Sequence, residues 1–413
     1  MPIDLARDLV IRWDAPDPKH ASMLHEAAIN RVLISQPNEP FQKACLAVGI
    51  EACPENEVQF LSLKDLPSAV PGKPVALTEG EWPGVSRGPN ASNADFDVAS
   101  ASTQPWVDSN GSWIGYLRAL APDRPPALGY RPNLKDRMVP FDSLELALIE
   151  GWASGGNYVM TPEPRFRSAL LKGDEKALSA WRRLGRTGRW LQEHADTLRQ
   201  PPFPAITMLV EQGEATAEIA HMMYRHNASP ALVSAGDPPP PDPARRRVMV
   251  AVELQAPPIP VRNRIMAHAE FGASVVVNGE WWRNSSLVKA GSQEDRDVYR
   301  LGRGQIVAYR QNIDDPSEFA LDVIDILTHK LRPVRLWNAG TVIALATGKG
   351  LLPCVNYGSP TREDIQARIQ GSFAKATLVR PEAAPLLLKT ARRGTTTEVM
   401  IPELRRLGIL VFE

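Results

Sequence analysis

An α/β fold in three parts is predicted: a compact or degenerate (β/α)8 TIM-like barrel, a flavodoxin-like doubly wound unit, and a small antiparallel β-sandwich. Three observations predict it. Short apolar runs alternate with helical patterns through the first half, the rhythm of a parallel sheet with crossover helices. That rhythm restarts after the cluster Pro201-Pro202-Phe203-Pro204. From Pro333 onward it gives way to short strands separated by turns. A chain of 413 residues is too long for one ordinary core, and these shifts set the boundaries at 1–200, 201–333 and 334–413.

In the first part the apolar runs are Leu9 to Trp13, Arg31 to Ser35, Gly49 to Cys53, Val58 to Leu61, Val75 to Thr78, Phe96 to Ser100, Ala127 to Tyr130 and Asn157 to Met160. They make about eight, the number that closes a barrel. Lys19 to Asn30, Phe41 to Val48 and Ser143 to Ser154 carry helical patterns between them. The segments after Leu61 and Gly84 are thin, which makes the barrel degenerate. A helix follows over Asp174 to Leu198, carried by Leu178, Trp181, Leu184, Trp190 and Leu191, with Gly185 and Gly188 as points of interruption. The proline cluster then ends it.

In the second part, strands Ile206 to Glu211, Ala231 to Ser234, Val248 to Glu253, Ser274 to Val277 and Ile306 to Arg310 alternate with helices Ala215 to His226, Val261 to Phe271 and Ser317 to Leu331. That is the pattern of an open doubly wound sheet. The last part holds Val334 to Trp337, Val342 to Thr347, Leu351 to Tyr357, Ile365 to Gln370, Lys375 to Val379, Leu386 to Thr390, Glu398 to Ile401 and Ile409 to Phe412, short strands at sandwich spacing.

Lys+Arg and Asp+Glu both number 47, so no global field recruits nucleic acid or an anionic membrane, and neither is expected as a partner. Cys45, Cys53 and Cys354 are odd in number and scattered, which gives no disulfide framework and no zinc pattern. His20 and His25, like His221 and His226, are five apart, a poor spacing for two ligands on one helix face. No metal and no cofactor is expected. The N-terminus lacks a long apolar core and no stretch approaches a membrane span, so a soluble cytoplasmic protein is expected.

Chemistry concentrates after the fifth run, in Val75-Ala-Leu-Thr-Glu-Gly-Glu-Trp-Pro-Gly84. Strand alternation puts Glu79 and Glu81 on one side. Gly80 leaves room for a ligand or a tight bend, and Trp82 offers a flat face to a pyranose ring. Hydrolysis of a glycosidic bond needs one carboxyl group as acid and another as base or nucleophile, on opposite sides of the bond. Two from one strand approach from the same side. Glu79 is therefore read as the acid/base, and its partner is sought at the end of another strand. Glu163, in Thr161-Pro-Glu-Pro-Arg165, meets that requirement, with Arg165 either orienting it or forming a structural ion pair. Asp14 is either a further carboxylate or a helix cap. Asp108, in Asp108-Ser-Asn-Gly, is either a ligand contact or a turn. Trp106 and Tyr130 lie in the same loops and fit a groove that stacks sugar rings, although each singly also fits a core. Glu81 would accept from sugar hydroxyls. Trp281-Trp282 reads as an interface or an extension of the groove.

Specific stretches give this order of parts a family likeness. Leu144 to Met160, with Glu150-Gly-Trp-Ala-Ser-Gly-Gly-Asn157 at its centre, looks like a last barrel helix running into a last strand; Gly371 to Pro381 and Leu407 to Glu413 look like a closing glycosidase domain. The whole resembles the family-42 beta-galactosidases. That resemblance implies a carbohydrate ligand at the C-terminal face of the barrel and a trimerisation domain related to glutamine amidotransferases, hence a homo-oligomer, dimer or trimer. No cysteine lies between Phe203 and Pro333, which excludes an amidotransferase nucleophile. The family's glutamate at the end of the seventh strand has no counterpart in Gly129-Tyr130-Arg131-Pro132, and Asn56-Glu57 begins a strand instead of ending one. Two functions are carried forward. One is a glycoside hydrolase using Glu79 and Glu163; the other is a non-catalytic carbohydrate-binding or assembly protein on a degenerate glycosidase scaffold.

Overall fold

The computed structural model describes residues 2–86, 106–131, 139–203, 205–228, 230–242, 247–283, 287–327, 332–348, 350–358 and 361–413. Its first part runs β1 (Val10–Arg12), α1 (Ala21–Glu26), β2 (Arg31–Ile34), α2 (Glu39–Ala47), β3 (Glu51–Pro54), β4 (Gln59–Leu61) and β5 (Val75–Leu77). The antiparallel pair β6 (Gly84–Ser86) and β7 (Trp106–Asp108) follows, then α3 (Gly111–Leu120), β8 (Ala127–Leu128), α4 (Ser143–Ala153), β9 (Asn157–Tyr158), α5 (Pro164–Leu171), α6 (Glu175–Glu193) and α7 (Ala195–Leu198).

Strands β1, β2 and β3 form one parallel sheet and β4, β5, β8 and β9 another. A parallel bridge between Ile11 and Met160 joins them, so the order is β3-β2-β1-β9-β8-β5-β4. Every strand sends a side chain into one apolar cluster, from Val10, Leu33, Cys53, Phe60, Ala76, Ala127 and, just past β9, Val159. The alternate residues Ile11, Val32, Ile34, Val75, Leu77, Leu128 and Tyr158 belong instead to the larger core that includes the helices. This two-sided burial explains why the runs read as continuously apolar. Seven of the eight predicted runs are strands to within two residues, while Phe96 to Ser100 lies outside the described residues. After β4 there is only a short 3-10 turn, Leu63–Ser68, as the thin sequence there implies.

Helix α6 corrects one expectation, because it passes through Gly185 and Gly188 unbroken. A Cβ on Gly185 would stand 2.3 Å from the Glu26 carbonyl oxygen, and one on Gly188 would stand 2.7 Å from Leu9. Glycine costs a helix interior about 1 kcal/mol relative to alanine, and here that cost permits close approach to the end of α1.

The second part contains β10 (Ile206–Val210), α8 (Glu214–Arg225), β11 (Ala231–Ser234), β12 (Val248–Ala251), α9 (Ile259–Glu270), β13 (Ser274–Val277), β14 (Val288–Ser292), β15 (Arg296–Leu301), β16 (Gly304–Tyr309) and α10 (Pro316–Ile326). The sheet order is β11-β10-β12-β13-β16-β15-β14, with the first five strands parallel. The antiparallel hairpin β14–β15 is absent from the sequence reading. Strand β14 is exposed throughout and so carries no apolar alternation, and its position is set by pairing with β15 and by Lys289 and Arg310 converging on Asp297. Trp282 is buried against Tyr299 with its indole N–H donating to the Gly279 carbonyl, so it is core and not interface.

The last part has β17 (Val334–Trp337), β18 (Val342–Ala344), β19 (Leu351–Asn356), β20 (Arg362–Gln370), β21 (Ala376–Arg380), β22 (Ala383–Leu388), β23 (Thr390–Arg393), β24 (Thr396–Leu404) and β25 (Leu407–Phe412). Antiparallel sheets β17-β20-β24-β23 and β18-β19-β25-β21-β22 share a core that includes Val334, Leu352, Ile365, Leu378, Ile401 and Leu410. Other residues of β19 and β25, Val355, Leu407 and Ile409, belong to the larger core that the first and second parts share.

All eleven residues of α4 are buried, since β9, α6 and β19 all pack on it. Two of them are glutamates. Glu145 accepts from Arg183, Thr187 and Arg405. Among the described residues Glu150 has only uncharged donors, from Asn110, Gly111 and Tyr357, and burial pushes it up from 4.5 to about 7. Among the described residues no helix is long and apolar enough to cross a membrane and no group of side chains forms a metal-binding cluster.

Between these two values the folded chain retains the Glu150 proton that the unfolded chain has released, so this group's contribution to stability is full below about 4.5 and is lost as pH rises through about 7. The shift corresponds to about 3 kcal/mol. Urea melts of wild type and Glu150→Gln across this window should therefore diverge systematically with pH, the wild type losing stability relative to the variant as pH rises. A difference independent of pH would refute the assignment.

Candidate functional site

The apolar run of β5 stops at Leu77, and Glu79, Gly80 and Glu81 lie beyond the strand end. The chain turns there at Gly80, whose φ of +136° favours glycine. A Cβ would sit 2.5 Å from the Tyr130 ring and 2.9 Å from Asn110 Oδ1. Asn110 holds the next peptide with both ends of its amide: Oδ1 accepts from the Glu81 N–H and Nδ2 donates to the Glu81 carbonyl, each at 2.8 Å. Glu79 folds back so that Oε1 accepts from the Leu63 N–H at 2.6 Å. Its Oε2 is buried and has no partner among the described residues.

These residues line a cleft of about 580 Å³ between the first and second parts. One wall carries Glu79, Gly80, Glu81, Ser109, Asn110 and Trp113; the other carries Glu214, Ala217, Glu218, His221 and Met222 of α8. Their spacing of three and four places them on one face of that helix. Tyr116 of α3 bonds to Thr216 of α8, and Gln212 donates to the Leu63 carbonyl at 2.7 Å, so the walls are fastened together. The Ser109 hydroxyl is buried without a partner among the described residues. Burial, and secondarily Arg225, lower the pKa of His221, so at neutral pH it presents a neutral imidazole. The cleft thus carries carboxyl groups on both walls, with Trp113 and His221 also lining it. That is a lining suited to a polyhydroxylated ligand.

Of the residues singled out from sequence, Glu79 and Glu81 line this cleft. Trp82 is half-buried behind them, edge-on to Tyr130 with centroids 6.3 Å apart. Tyr130 is a correction: at 1% exposure and stacked on Tyr158 at 4.6 Å, it supports Gly80 from the core and offers no face to a ligand. Trp106 is 44% exposed, but the Arg225 guanidinium lies 3.3 Å from its ring centre and covers one face. Asp108 is buried at the end of β7, next to the Ser109 and Asn110 that do line the cleft. Asp14 pairs with Arg167 at 2.8 Å, and the cap of the following 3-10 turn is Asp17 instead.

Glu163 is not among the residues lining the cleft. Its Oε2 accepts from the Phe166 N–H at 2.9 Å and so caps α5. Arg165 is exposed and makes no ion pair with it among the described residues. At the C-terminal ends of the strands, Arg12 reaches over the Phe60 ring at 4.0 Å, donates to the Gly129 carbonyl and lies 3.8 Å from Glu55. It thereby fills the place where the sequence reading set the barrel mouth. Sequence reasoning missed Ser109, Asn110 and the α8 wall. A helix face with Glu214, Glu218 and His221 was a visible signal, but nothing local says what it faces.

No protein-family model matches the sequence, and no curated protein does. Solved structures do match. Alpha-L-fucosidase isoenzyme 2 from Paenibacillus thiaminolyticus shares the fold over 98% of this chain and 99% of that one, with a TM-score of 0.60 at 7% identity. A beta-galactosidase from Bacillus circulans sp. alkalophilus does so over 98% and 99%, with a TM-score of 0.54 at 9% identity. The likeness is one of fold, and the neighbours are glycoside hydrolases. The resemblance to beta-galactosidases read from the order of parts holds at that level.

Replacing Gly80 by alanine forces a Cβ into the Tyr130 ring from a backbone conformation that L residues avoid. We expect a loss of about 1–3 kcal/mol in chemical denaturation; a neutral variant would show that the turn relaxes freely.

Proposed function

We propose that the protein is a glycoside hydrolase whose carbohydrate binds in the cleft between the end of β5 and helix α8. In this reading residues 1–200 are a degenerate (β/α) barrel, 201–333 a flavodoxin-like part and 334–413 a β-sandwich. The observation that carries it is the carboxyl group of Glu79. One oxygen is fixed by the Leu63 N–H, the other is buried without a partner among the described residues, and the residue lines a cleft with room for a sugar. In this reading Glu79 turns its unpartnered oxygen toward the bound sugar and exchanges a proton with the glycosidic oxygen. Glu81 accepts from sugar hydroxyls and Trp113 provides an apolar face.

The reaction needs a second carboxyl group across the scissile bond. Glu163 caps α5, so the role passes in this reading to the opposite wall, where Glu218 lies on the cleft face of α8. Assembly as a trimer through the second part follows only from the likeness to beta-galactosidases, and a mass measurement in solution tests it.

A second reading is favoured by Arg12 and Glu163. With the centre of the strand ends filled and the expected second carboxylate engaged in capping, the cleft would bind a carbohydrate without cleaving it. A panel of aryl glycosides separates the two. We expect wild-type hydrolysis of at least one member to fall about 10²–10⁴-fold in Glu79→Gln, with Glu218→Gln also impaired. Activity untouched by Glu79→Gln would sink the assignment. An inert wild type that still binds glycans in calorimetry, and loses them on Trp113→Ala, would establish the binding reading.

A further inference from the structure

We propose that Glu150 is a positioning residue of this cleft: through Asn110 it fixes the Gly80–Glu81 turn, and through Tyr357 it ties that turn to the β-sandwich. The bonds form an unbroken chain. Tyr357, just past β19, donates its hydroxyl to Glu150 Oε1 at 2.7 Å. The same oxygen accepts from the Asn110 N–H at 2.5 Å, and Oε2 accepts from Asn110 Nδ2 at 2.8 Å. The Gly111 N–H also points at the carboxylate, so Glu150 caps the start of α3 from another helix. Asn110 then holds the Glu81 peptide at both its N–H and its carbonyl. Glu79 and Glu81 flank the glycine thus held.

Chemistry explains why the residue is a carboxylate. Asn110 presents two donors, its backbone N–H and its Nδ2, and Tyr357 presents a third. Only a carboxylate accepts from all of them with no proton of its own in the way. Because Asn110 Nδ2 donates, its Oδ1 is left to accept from Glu81. Glu150 therefore also decides which way the Asn110 amide faces. A glutamine at 150 sets an NH2 group against one of these donors, and either partner must turn, which breaks the grip on Glu81.

The carboxylate is surrounded by Asn110 and Gly111 at the start of α3, Tyr357 on the sandwich side and Tyr130 after β8, with Glu81 beyond Tyr130. None of these groups is cationic, so burial prevails and the carboxyl titrates at about 7. Protonation turns an acceptor oxygen into a donor and loosens the same grip.

The functional meaning of this role rests on the cleft being the working site, but its test needs no substrate. Hydrogen exchange of the full chain, corrected for the intrinsic pH dependence, reads the Glu81 amide directly. In wild type we expect protection at Glu81 to fall as pH drops through about 7. In Glu150→Gln it should be lower by about tenfold or more at pH 8, the effect of one lost buried hydrogen bond, and flat with pH. Strands β20 and β24 should remain protected as in wild type. A folded Glu150→Gln protein with wild-type protection at Glu81, or with protection lost evenly throughout, would overturn the proposal.

Tyr357→Phe decides the matter if Glu150→Gln does not fold. It removes one donor to the carboxylate and leaves both Asn110 bonds, so the pH step at Glu81 should move upward. A step that stays in place refutes the coupling. An inert aryl-glycoside panel leaves this outcome untouched, and an unchanged exchange profile leaves the panel's outcome untouched.

Discussion

Helix α4 is out of water on every side, and the other parts are arranged by what that requires. Strand β9, helix α6 and the sandwich strand β19 all pack on it, so its apolar residues need no solvent face to oppose them. Its two glutamates must then find donors inside the protein, because an unpaired buried carboxylate costs several kcal/mol. Glu145 meets that need with Arg183, Thr187 and Arg405, the last from the sandwich. Glu150 meets it with Asn110 and Tyr357. Each carboxylate thereby links α4 to a segment distant in sequence. The sandwich is fixed to the first part by polar bonds of defined geometry as well as by apolar contact.

The cleft follows from the same arrangement. Once α3 begins at Asn110 under Glu150, its side chain holds the turn at Gly80, and its length carries Tyr116 to Thr216 of α8. Two walls from different parts then face each other across a cavity, with carboxyl groups on both. Such a site is built at an interface between parts, where concave surfaces arise without opening a core. Arg12 closes the alternative position at the strand ends. Its guanidinium is nearly buried, with its pKa lowered to about 10 chiefly by desolvation, and it is held by the Gly129 carbonyl and the Phe60 ring.

Local pattern carried much of this structure. Seven first-part strands, the five parallel strands of the second part and the sandwich strands other than β23 are legible as apolar runs, because two-sided or one-sided burial writes its period directly into the chain. Where burial is absent the signal is too, as in the exposed strand β14. Gly185 and Gly188 misled because a glycine in a helix reads as a break when its packing partner, the end of α1, is unknown. Tyr130 and Trp282 misled for the converse reason: an aromatic residue in a loop sequence is placed in the core by elements that arrive later in the chain.

By itself, then, the sequence determined that parallel α/β segments precede a run of antiparallel strands, and that carboxylates concentrate after β5. Only the tertiary structure decided that Glu79 and Glu81 share a cleft with α8 while Glu163 caps α5, that Asn110 grips Glu81, and that Glu150 stands behind that grip. The reason is physical. Periodicity records whether a residue is buried, which is a property of its own segment, whereas a hydrogen bond between residues 40 or 207 positions apart depends on which segments pack together, and no local period encodes that.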